Sequence, residues 1–171
     1  MYRKRTDMIL ELTTEWTDEY IRLRSEALRL HPDSFGSGPE YKHSRETTFQ
    51  RLEAKHEEDF ILAWQDGNRL EAMLGFKRNQ GIKHQHRSEI WGVYVSEAYR
   101  RKGIAHALFE ECFQRASKME GLKKILLGAS HINTGSIKLY ERLGFEEYAR
   151  EPARMIWQGQ ELDEVYMHKW I

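Results

Sequence analysis

The sequence predicts an α+β domain in which helices are layered on a mixed β-sheet. The prediction rests on the order of its hydrophobic patterns, β-α-α-β-β-β-α-β-α-β-β. Near the middle of that order, a strand at 88–96, a helix from Ile104 and a short apolar strand at 123–130 form one strand-helix-strand crossover. The 171 residues contain no internal repeat and no linker-like stretch, so we expect a single domain over residues 1–171.

Four strands and two helices are predicted in the first half of the chain. The strand segments are "ILELTTE", "DFILAWQ", "LEAMLGFKR" and "SEIWGVYVS". The turn sequence "DGNR" separates the second strand from the third and favours an antiparallel hairpin. The helical segment "DEYIRLRSEALRLHP" has an apolar stripe and ends at Pro32, and a second helix is expected from about Glu40 to Lys55.

In the second half, Ile104, Leu108 and Cys112 recur every four residues, which predicts an amphipathic helix. "KKILLGAS" is short and apolar, as expected for a buried central strand. "NTGSIKLYERL" is predicted to be the last helix, with Gly144 as its C-terminal cap. "FEEYARE" and "EVYMHKW" form a closing pair of strands with "QGQ" near the turn.

The composition restricts the classes of partner. With 27 basic and 27 acidic residues the net charge is zero, which gives no general attraction to nucleic acid or to an anionic membrane. The apolar runs are too short to span a bilayer and "MYRKRTDMILEL" lacks the apolar core of a secretory signal, so we expect a cytoplasmic protein. Cys112 is the only cysteine, which excludes an intramolecular disulfide and favours a core role for its thiol. His84 and His86 alternate as on one face of a strand but have no identifiable third ligand, so no metal site is expected.

The segment "VYVSEAYRRKGIAHAL" has the features of an anion site. A strand ends, a loop places Arg100, Arg101, Lys102 and Gly103 together, and a helix begins at once. The first turn of a helix has unpartnered N–H groups and partial positive charge, and the small Gly103 and Ala105 let a ligand approach the backbone. A pyrophosphate fits this description, whereas the known nucleotide-hydrolysing and dinucleotide-binding glycine motifs are absent. A solvated basic turn is the alternative interpretation at this point.

Two segments together resemble the GNAT superfamily of N-acetyltransferases. "R-R-K-G-I-A", from Arg100 to Ala105, resembles its Gln/Arg-x-x-Gly-x-Gly/Ala signature, with alanine as the tolerated last residue. "N-T-G-S-I-K-L-Y-E-R-L-G-F", from Asn133 to Phe145, resembles its Asn-x-x-Ser-x-x-x-Tyr-x-x-x-Gly-Phe segment. The resemblance extends over nearly the whole chain. It implies a mostly antiparallel sheet of six to seven strands with a central, splayed parallel pair and about four helices.

The resemblance also implies an activity. Acetyl-CoA would be the acetyl donor, and a primary amine of a small molecule or a protein would attack it directly in a ternary complex. The backbone of Val93, Tyr94 and Val95 would bond the pantetheine arm and face the thioester carbonyl, and the N–H groups from Arg101 to His106 would hold the pyrophosphate. The implied cofactor-binding positions are Val93, Tyr94, Val95, Arg100, Arg101, Lys102, Gly103, Ile104, Ala105, His106, Asn133, Ser136 and Tyr140.

Tyr140 matches the position that protonates the departing thiolate in the superfamily. It follows Asn133 by seven residues, or about two helical turns, so both side chains lie on one helix face. A phenol with a pKa near 10 can supply this proton. The alternative is that Tyr140 is an amphipathic core residue. Glu89 is the candidate general base because many relatives have a carboxylate in that region of the strand, with a solvated strand-end charge as an equal alternative.

The acceptor is left open by the sequence. Acceptor choice in the superfamily depends on the first two helices and their loop, here "RLHPDSFGSGPEYKHSRETTF", together with the closing hairpin. A polyamine, an amino acid, an antibiotic amine or a protein amino group are all compatible with it. The second functional reading is a non-catalytic acyl-CoA-binding sensor on the same scaffold, and a homodimer is possible because dimers are frequent among relatives.

Overall fold

The computed structural model describes residues 8–54 and 57–171. Within these ranges the chain forms seven strands and four α-helices. Their bounds are β1 Ile9–Glu11, α1 Thr17–Leu30, α2 Arg45–Glu53, β2 Asp59–Asp66, β3 Arg69–Arg78, β4 Arg87–Val95, α3 Ile104–Ala116, β5 Lys124–Ser130, α4 Thr134–Arg142, β6 Glu146–Trp157 and β7 Gln160–Trp170. Short 3₁₀ turns lie at Thr14–Trp16 and Glu97–Tyr99.

One seven-stranded sheet has the order β1-β2-β3-β4-β5-β7-β6. Every neighbouring pair is antiparallel except β4 and β5, which are parallel because α3 crosses over between them. The predicted α+β fold, with its mixed sheet, single central parallel pair and four helices, is confirmed.

Helices cover both faces of the sheet. On the α3 face, Leu108 and Phe109 of α3 pack with Ile125 of β5 in a core cluster that also includes residues of α4. On the α1 face, Leu23 of α1 and Leu52 of α2 pack in a second cluster. Both clusters exclude water from the sheet, which is the main source of stability for a layered domain.

A β-bulge in β4 sets the orientation of the residues that follow it. Gly92 and Val93 together lie opposite Leu74 of β3, and Gly92 has φ +63°. The extra residue shifts the alternation of side chains. Trp91 and Tyr94, three positions apart, therefore both pack on the α1 face, whereas Val93 packs on the α3 face.

The parallel pair separates soon after it begins. Only three residue pairs join β4 to β5, and the last is Glu89 with Leu126. Beyond that pair the two strands diverge, and the remaining residues of β4 together with residues 127–129 of β5 line a gap in the sheet. The predicted splay is at this position.

Several predicted boundaries were wrong. The first strand ends at Glu11 instead of Glu15, because a 3₁₀ turn follows in which the Thr17 hydroxyl donates to the Thr14 carbonyl. The second helix begins at Arg45, where the Ser44 hydroxyl accepts a hydrogen bond from the Thr47 N–H. Its predicted end, residue 55, lies outside the described residues, as do residues 1–7 of the N-terminal segment.

The closing hairpin is longer than predicted, because β6 and β7 continue to Trp157 and from Gln160. The turn is at Gln158 and Gly159, both with positive φ, as "QGQ" indicated. The alternation of His84 and His86 does not reflect a strand, since both lie in turns before β4.

The predicted end of the last helix is confirmed. Gly144 has φ +85°, its N–H donates to the Glu141 carbonyl at 3.0 Å, and the Phe145 N–H donates to the Tyr140 carbonyl at 3.0 Å. This is the Schellman arrangement, which favours glycine. Cys112 is fully buried on the α3 face, as expected for a core residue. Among the described residues, no helix combines the length and apolarity needed to cross a membrane.

Candidate active site

The separation of β4 from β5 opens a cleft of about 1070 Å³. Its walls come from both strands, the N-terminus of α3, α4, β7 and the loop after α1. The cleft therefore passes from one face of the sheet to the other. Two ligands could meet in it from opposite sides.

At the α3 end of the cleft, a run of backbone donors has no partner. From Arg101 to His106, six consecutive N–H groups find no acceptor within the described parts of the chain. Arg101 has φ +58° and Gly103 has φ +78°, and left-handed residues in such a turn let successive N–H groups converge. The first turn of α3 contains no acidic residue. These features fit a pyrophosphate, because an anion would satisfy the donors and interact favourably with the helix dipole.

The basic side chains of this loop differ in their placement. Arg100 donates from Nε to the Val95 carbonyl at 3.0 Å, and its Nη2 lies 2.7 Å from His31 Nε2. Arg100 thus ties the end of β4 to the end of α1. Arg101 lines the cleft, whereas Lys102 lies outside the lining, with Nζ 4.9 Å from the Tyr99 ring centroid.

The start of α4 lies on the cleft wall. Asn133 caps the helix, and its Oδ1 accepts a hydrogen bond from the Ser136 N–H at 3.3 Å. Asn133, Ser136 and Tyr140 all line the cleft, as expected for residues on one face of a helix.

Tyr140 belongs to the core and to the cleft at once. Its side chain is only 5% exposed, and its ring centroid lies 5.6 Å from Phe109 and 6.1 Å from Phe145. Burial raises the pKa of its phenol to about 12; a hydrogen bond with Ser136 lowers it and the Glu164 carboxylate raises it further. The two interpretations of Tyr140 made from the sequence are therefore compatible.

Tyr94 presents its side chain to the α1 face. Its hydroxyl donates to Glu26 Oε1 at 2.9 Å, and the Ser96 hydroxyl donates to the same oxygen at 3.2 Å. Burial, followed by the hydrogen bond to Glu26, raises the pKa of Tyr94 to about 12. The side chain thus anchors α1 to the sheet, and only the backbone of Tyr94 is left for a ligand in the cleft.

Three carboxylates line the cleft: Asp33 from the loop after α1, and Glu89 and Glu164 from the strands. Glu89 is exposed and sits at the last parallel pair, where the strands part. Glu164 of β7 was missed in the sequence. A Cβ at Gly128 would lie 2.3 Å from Glu164 Oε1, so the glycine leaves the space that this carboxylate occupies. Burial raises the pKa of Glu164, Arg154 lowers it and Glu151 raises it.

Comparison with known proteins identifies the family. A family model described as "Acetyltransferase (GNAT) family" matches residues 14–145. The chain belongs to the acetyltransferase (GNAT) family. The resemblance seen in the sequence is thereby confirmed, and the family supports the expected enzyme class of N-acetyltransferase.

Individual relatives are distant. "Putative phosphinothricin acetyltransferase YwnH" of Bacillus subtilis (strain 168) is 25% identical over 104 residues, a match that spans 61% of this chain and 63% of the relative. A GNAT-family acetyltransferase from Streptococcus pneumoniae superposes with a TM-score of 0.86 at 18% identity, covering 95% of this chain and 98% of that one. "yncA, a putative ACETYLTRANSFERASE from Salmonella typhimurium with its cofactor Acetyl-CoA" superposes with a TM-score of 0.82 at 20% identity, covering 95% of this chain and 92% of that one. These structures establish the shared fold.

In this GNAT-family chain, most of the site residues predicted from the sequence lie in the wall of the cleft. All the predicted site residues except Lys102 line it. The roles assigned to them stay predictions. Within residues 8–54 and 57–171, no group of three or more His, Cys, Asp or Glu side chains is arranged to hold a metal ion.

Two features of the cleft escaped the sequence prediction. Glycine inside a strand pattern marks a bulge or a close approach, and both Gly92 and Gly128 fit that rule. The first signalled the bulge in β4. Gly128 indicates a close neighbour. That neighbour is Glu164, which can be identified only from the pairing of β5 with β7.

Proposed function

We propose that this protein is an acetyl-CoA-dependent N-acetyltransferase that passes the acetyl group directly to a primary amine while both substrates are bound. The run of six unpartnered N–H groups from Arg101 to His106, at one mouth of the gap in the sheet, is the observation that carries the proposal. A non-catalytic acyl-CoA sensor would need these N–H groups as well. Tyr140 and the carboxylates of Glu89 and Glu164 in the same cleft favour an enzyme.

The cleft suits the donor substrate along its length. The N–H groups of the α3 turn would hold the pyrophosphate, and Asn133 and Ser136 would border the arm that follows it. Past Glu89, β4 is no longer paired with β5. Backbone groups of Val93 to Val95 would then be available to the pantetheine arm and the thioester oxygen.

Acetyl-CoA supplies the acetyl group as a thioester. The amine nitrogen forms a bond to the carbonyl carbon, the carbon–sulfur bond breaks, and its electron pair leaves on sulfur. Tyr140 would give its phenolic proton to that sulfur, and a base would take one proton from the amine. Because its pKa is about 12, Tyr140 keeps the proton until a thiolate develops. A thiolate forming in a dry slot has a raised pKa of its own, which helps the transfer.

Two carboxylates compete for the role of base. Glu89 is the residue chosen from the sequence, but it is exposed. Glu164 is half-buried, and its charge raises the pKa of Tyr140, which places the two groups within electrostatic reach. A carboxyl group whose pKa is raised toward neutrality is the better general base near pH 7. We therefore add Glu164 as a second candidate.

The names of relatives do not fix the acceptor. One relative is named for phosphinothricin, and a structural neighbour from Brucella melitensis is named a ribosomal-protein-alanine N-acetyltransferase. The direct test is to mix the protein with acetyl-CoA and a panel of polyamines, amino acids, aminoglycosides and peptides, and to follow release of free thiol. A cytoplasmic location and a homodimer remain part of the proposal, and fractionation and light scattering test them.

A matched pair of variants tests the donor site. Ala105→Glu puts a carboxylate in the first turn of α3, where the helix dipole favours it and the pyrophosphate would be repelled. Gln114→Glu adds the same charge at an exposed position of α3. We expect Ala105→Glu alone to abolish the thermal stabilisation by CoA. Equal stabilisation of both variants would place the donor elsewhere, and binding without turnover on any amine would contradict the enzyme.

A further inference from the structure

Arg24 of α1 places a guanidinium in the wall of the cleft without a counter-charge. Its Nη1 atom is buried and has no hydrogen-bond partner within the described residues. The residue as a whole is partly exposed and lines the cleft. Leaving a buried cationic donor unpaired is costly.

Within residues 8–54 and 57–171, no carboxylate forms an ion pair with Arg24, although Asp33 lines the same cleft. Burial lowers the pKa of Arg24; the groups that then act on it are Tyr20, Arg51 and Tyr41, of which Arg51 lowers it further. Arg24 in turn helps to lower the pKa of His43, which burial already lowers. Arg24 and Arg51 therefore act on each other as like charges on this part of the α1 face.

Three of the other half-buried or buried arginines of the described chain, Arg22, Arg78 and Arg115, form ion pairs, whereas Arg87 does not. Arg22, on the same helix, forms ion pairs with Glu19 and Glu26. Arg115 pairs with Glu11 and Glu111. Arg24 thus differs from these arginines, which are also half-buried but have carboxylate partners.

The protein also holds Arg24 in place. Its guanidinium carbon lies 4.7 Å from the centroid of the Phe35 ring, a cation–π contact from the loop after α1. On the other side, a Cβ at Gly92 would lie 3.6 Å from Arg24 Nη1, so the guanidinium lies against the bulge of β4. The bulge is next to Val93, where the thioester is proposed to lie. Arg24 is therefore pre-positioned on the acceptor side of the reaction centre.

We propose that the acceptor is a small amine that also bears a carboxylate or a similar oxyanion, as amino acids do, and that Arg24 binds this anion. The inference rests on the proposed acetyltransferase function. An oxyanion bound in the cleft would compensate the charge of Arg24, and a planar guanidinium can bind a carboxylate through two parallel hydrogen bonds. The ammonium end of the same molecule would face Glu89 and Glu164, which also line the cleft. This distribution of charge disfavours a polyamine.

The test compares each L-amino acid with its carboxamide, which differs only in the anionic group. With the wild type we expect kcat/KM for the best amino acid to exceed that for its amide about 10- to 100-fold, the usual effect of one charged hydrogen-bonding partner. Arg24→Met should reduce this ratio to about 1, because kcat/KM falls much more for the amino acid than for the amide. Arg29→Met, an exposed arginine of the same helix, is the control and should keep the wild-type ratio.

A structural role for Arg24 would give a different result. Because the substitution removes an uncompensated charge, Arg24→Met should melt at the same temperature as the wild type or higher. A melting temperature lowered by several degrees, together with equal losses on amino acid and amide, would overturn the inference. So would loss of the preference in Arg87→Met alone, since Arg87 Nε is also unpartnered within the described chain and lines the cleft.

Failure of the proposed function would look different again. In that case no amine would release thiol, although thermal shift could still report binding of the amino acid in the presence of CoA and its loss in Arg24→Met. Turnover on peptides with a neutral N-terminal residue, or on polyamines, without sensitivity to Arg24 would support the enzyme and refute the anionic acceptor.

Discussion

Replacing Tyr140 by phenylalanine gives the sharpest separation between packing and chemistry. The substitution keeps the ring, which is 5% exposed and contacts Phe109 and Phe145, and removes only the hydroxyl. The free energy of unfolding should therefore change by about 1 kcal/mol or less. Loss of a general acid should lower kcat about 100- to 10,000-fold, with little change in the KM for acetyl-CoA.

The raised pKa of Tyr140 adds a prediction about pH. With a pKa of about 12, only about 1% of the phenol is ionised at pH 10, against about half for an ordinary tyrosine. The protonated form is the acid, so its contribution should persist as pH rises. The ratio of wild-type kcat to Tyr140→Phe kcat should be constant from pH 6 to pH 10, as measured by thiol release with saturating substrates.

The control is Tyr20→Phe. Tyr20 is 4% exposed, burial raises its pKa as well, and it lies outside the cleft lining. It should keep the wild-type kcat. Equal kcat for wild type and Tyr140→Phe would refute the role as acid, and a ratio that has fallen by about half at pH 10 or below, as for an ordinary tyrosine, would refute the effect of burial.

Three further predictions concern other parts of the molecule. Gly128→Ala puts a methyl group 2.3 Å from Glu164 Oε1, so the carboxylate should shift. This shift should lower kcat about 10-fold with little loss of stability. An unchanged kcat would show that Glu164 takes no part in the reaction. Arg78 is 7% exposed and donates to the Gln85 and Glu120 carbonyls and to Glu58. Because Arg78→Met removes these bonds, it should lower the free energy of unfolding, measured in urea, by about 2–4 kcal/mol. It should leave kcat per folded molecule unchanged. Burial raises the pKa of Cys112 from 9.0 to about 12. Its contribution to stability is thus complete below pH 9 and is lost as pH rises toward 12, so wild type should lose about 2 kcal/mol more than Cys112→Val between pH 8 and pH 10.5 in urea titrations.

How far the sequence could predict the fold depended on the range of the interactions. Element types came from local periodicity and from turn residues, as in the hairpin at Gly67 and the cap at Gly144. The predicted boundaries of elements were wrong where a local hydrogen bond determines the boundary, as at the Ser44 cap of α2. The predicted β6 and β7 were too short. The strands of a hairpin extend as far as they pair with each other, and the residues of a polar edge strand carry no hydrophobic pattern that indicates this extent.

For the site, the sequence alone determined the two local pieces. A glycine-containing turn before a helix dictates unpartnered N–H groups at Arg101 to His106, and helical spacing puts Asn133 and Tyr140 on one face, because both depend on neighbours within a few residues. Only the tertiary structure decided the rest. Strand register brings Glu164 over Gly128, and the bulge at Gly92 lies against the Arg24 guanidinium, next to the proposed reaction centre. These contacts join residues more than thirty positions apart, so their pairing depends on how the layers pack and not on any local pattern.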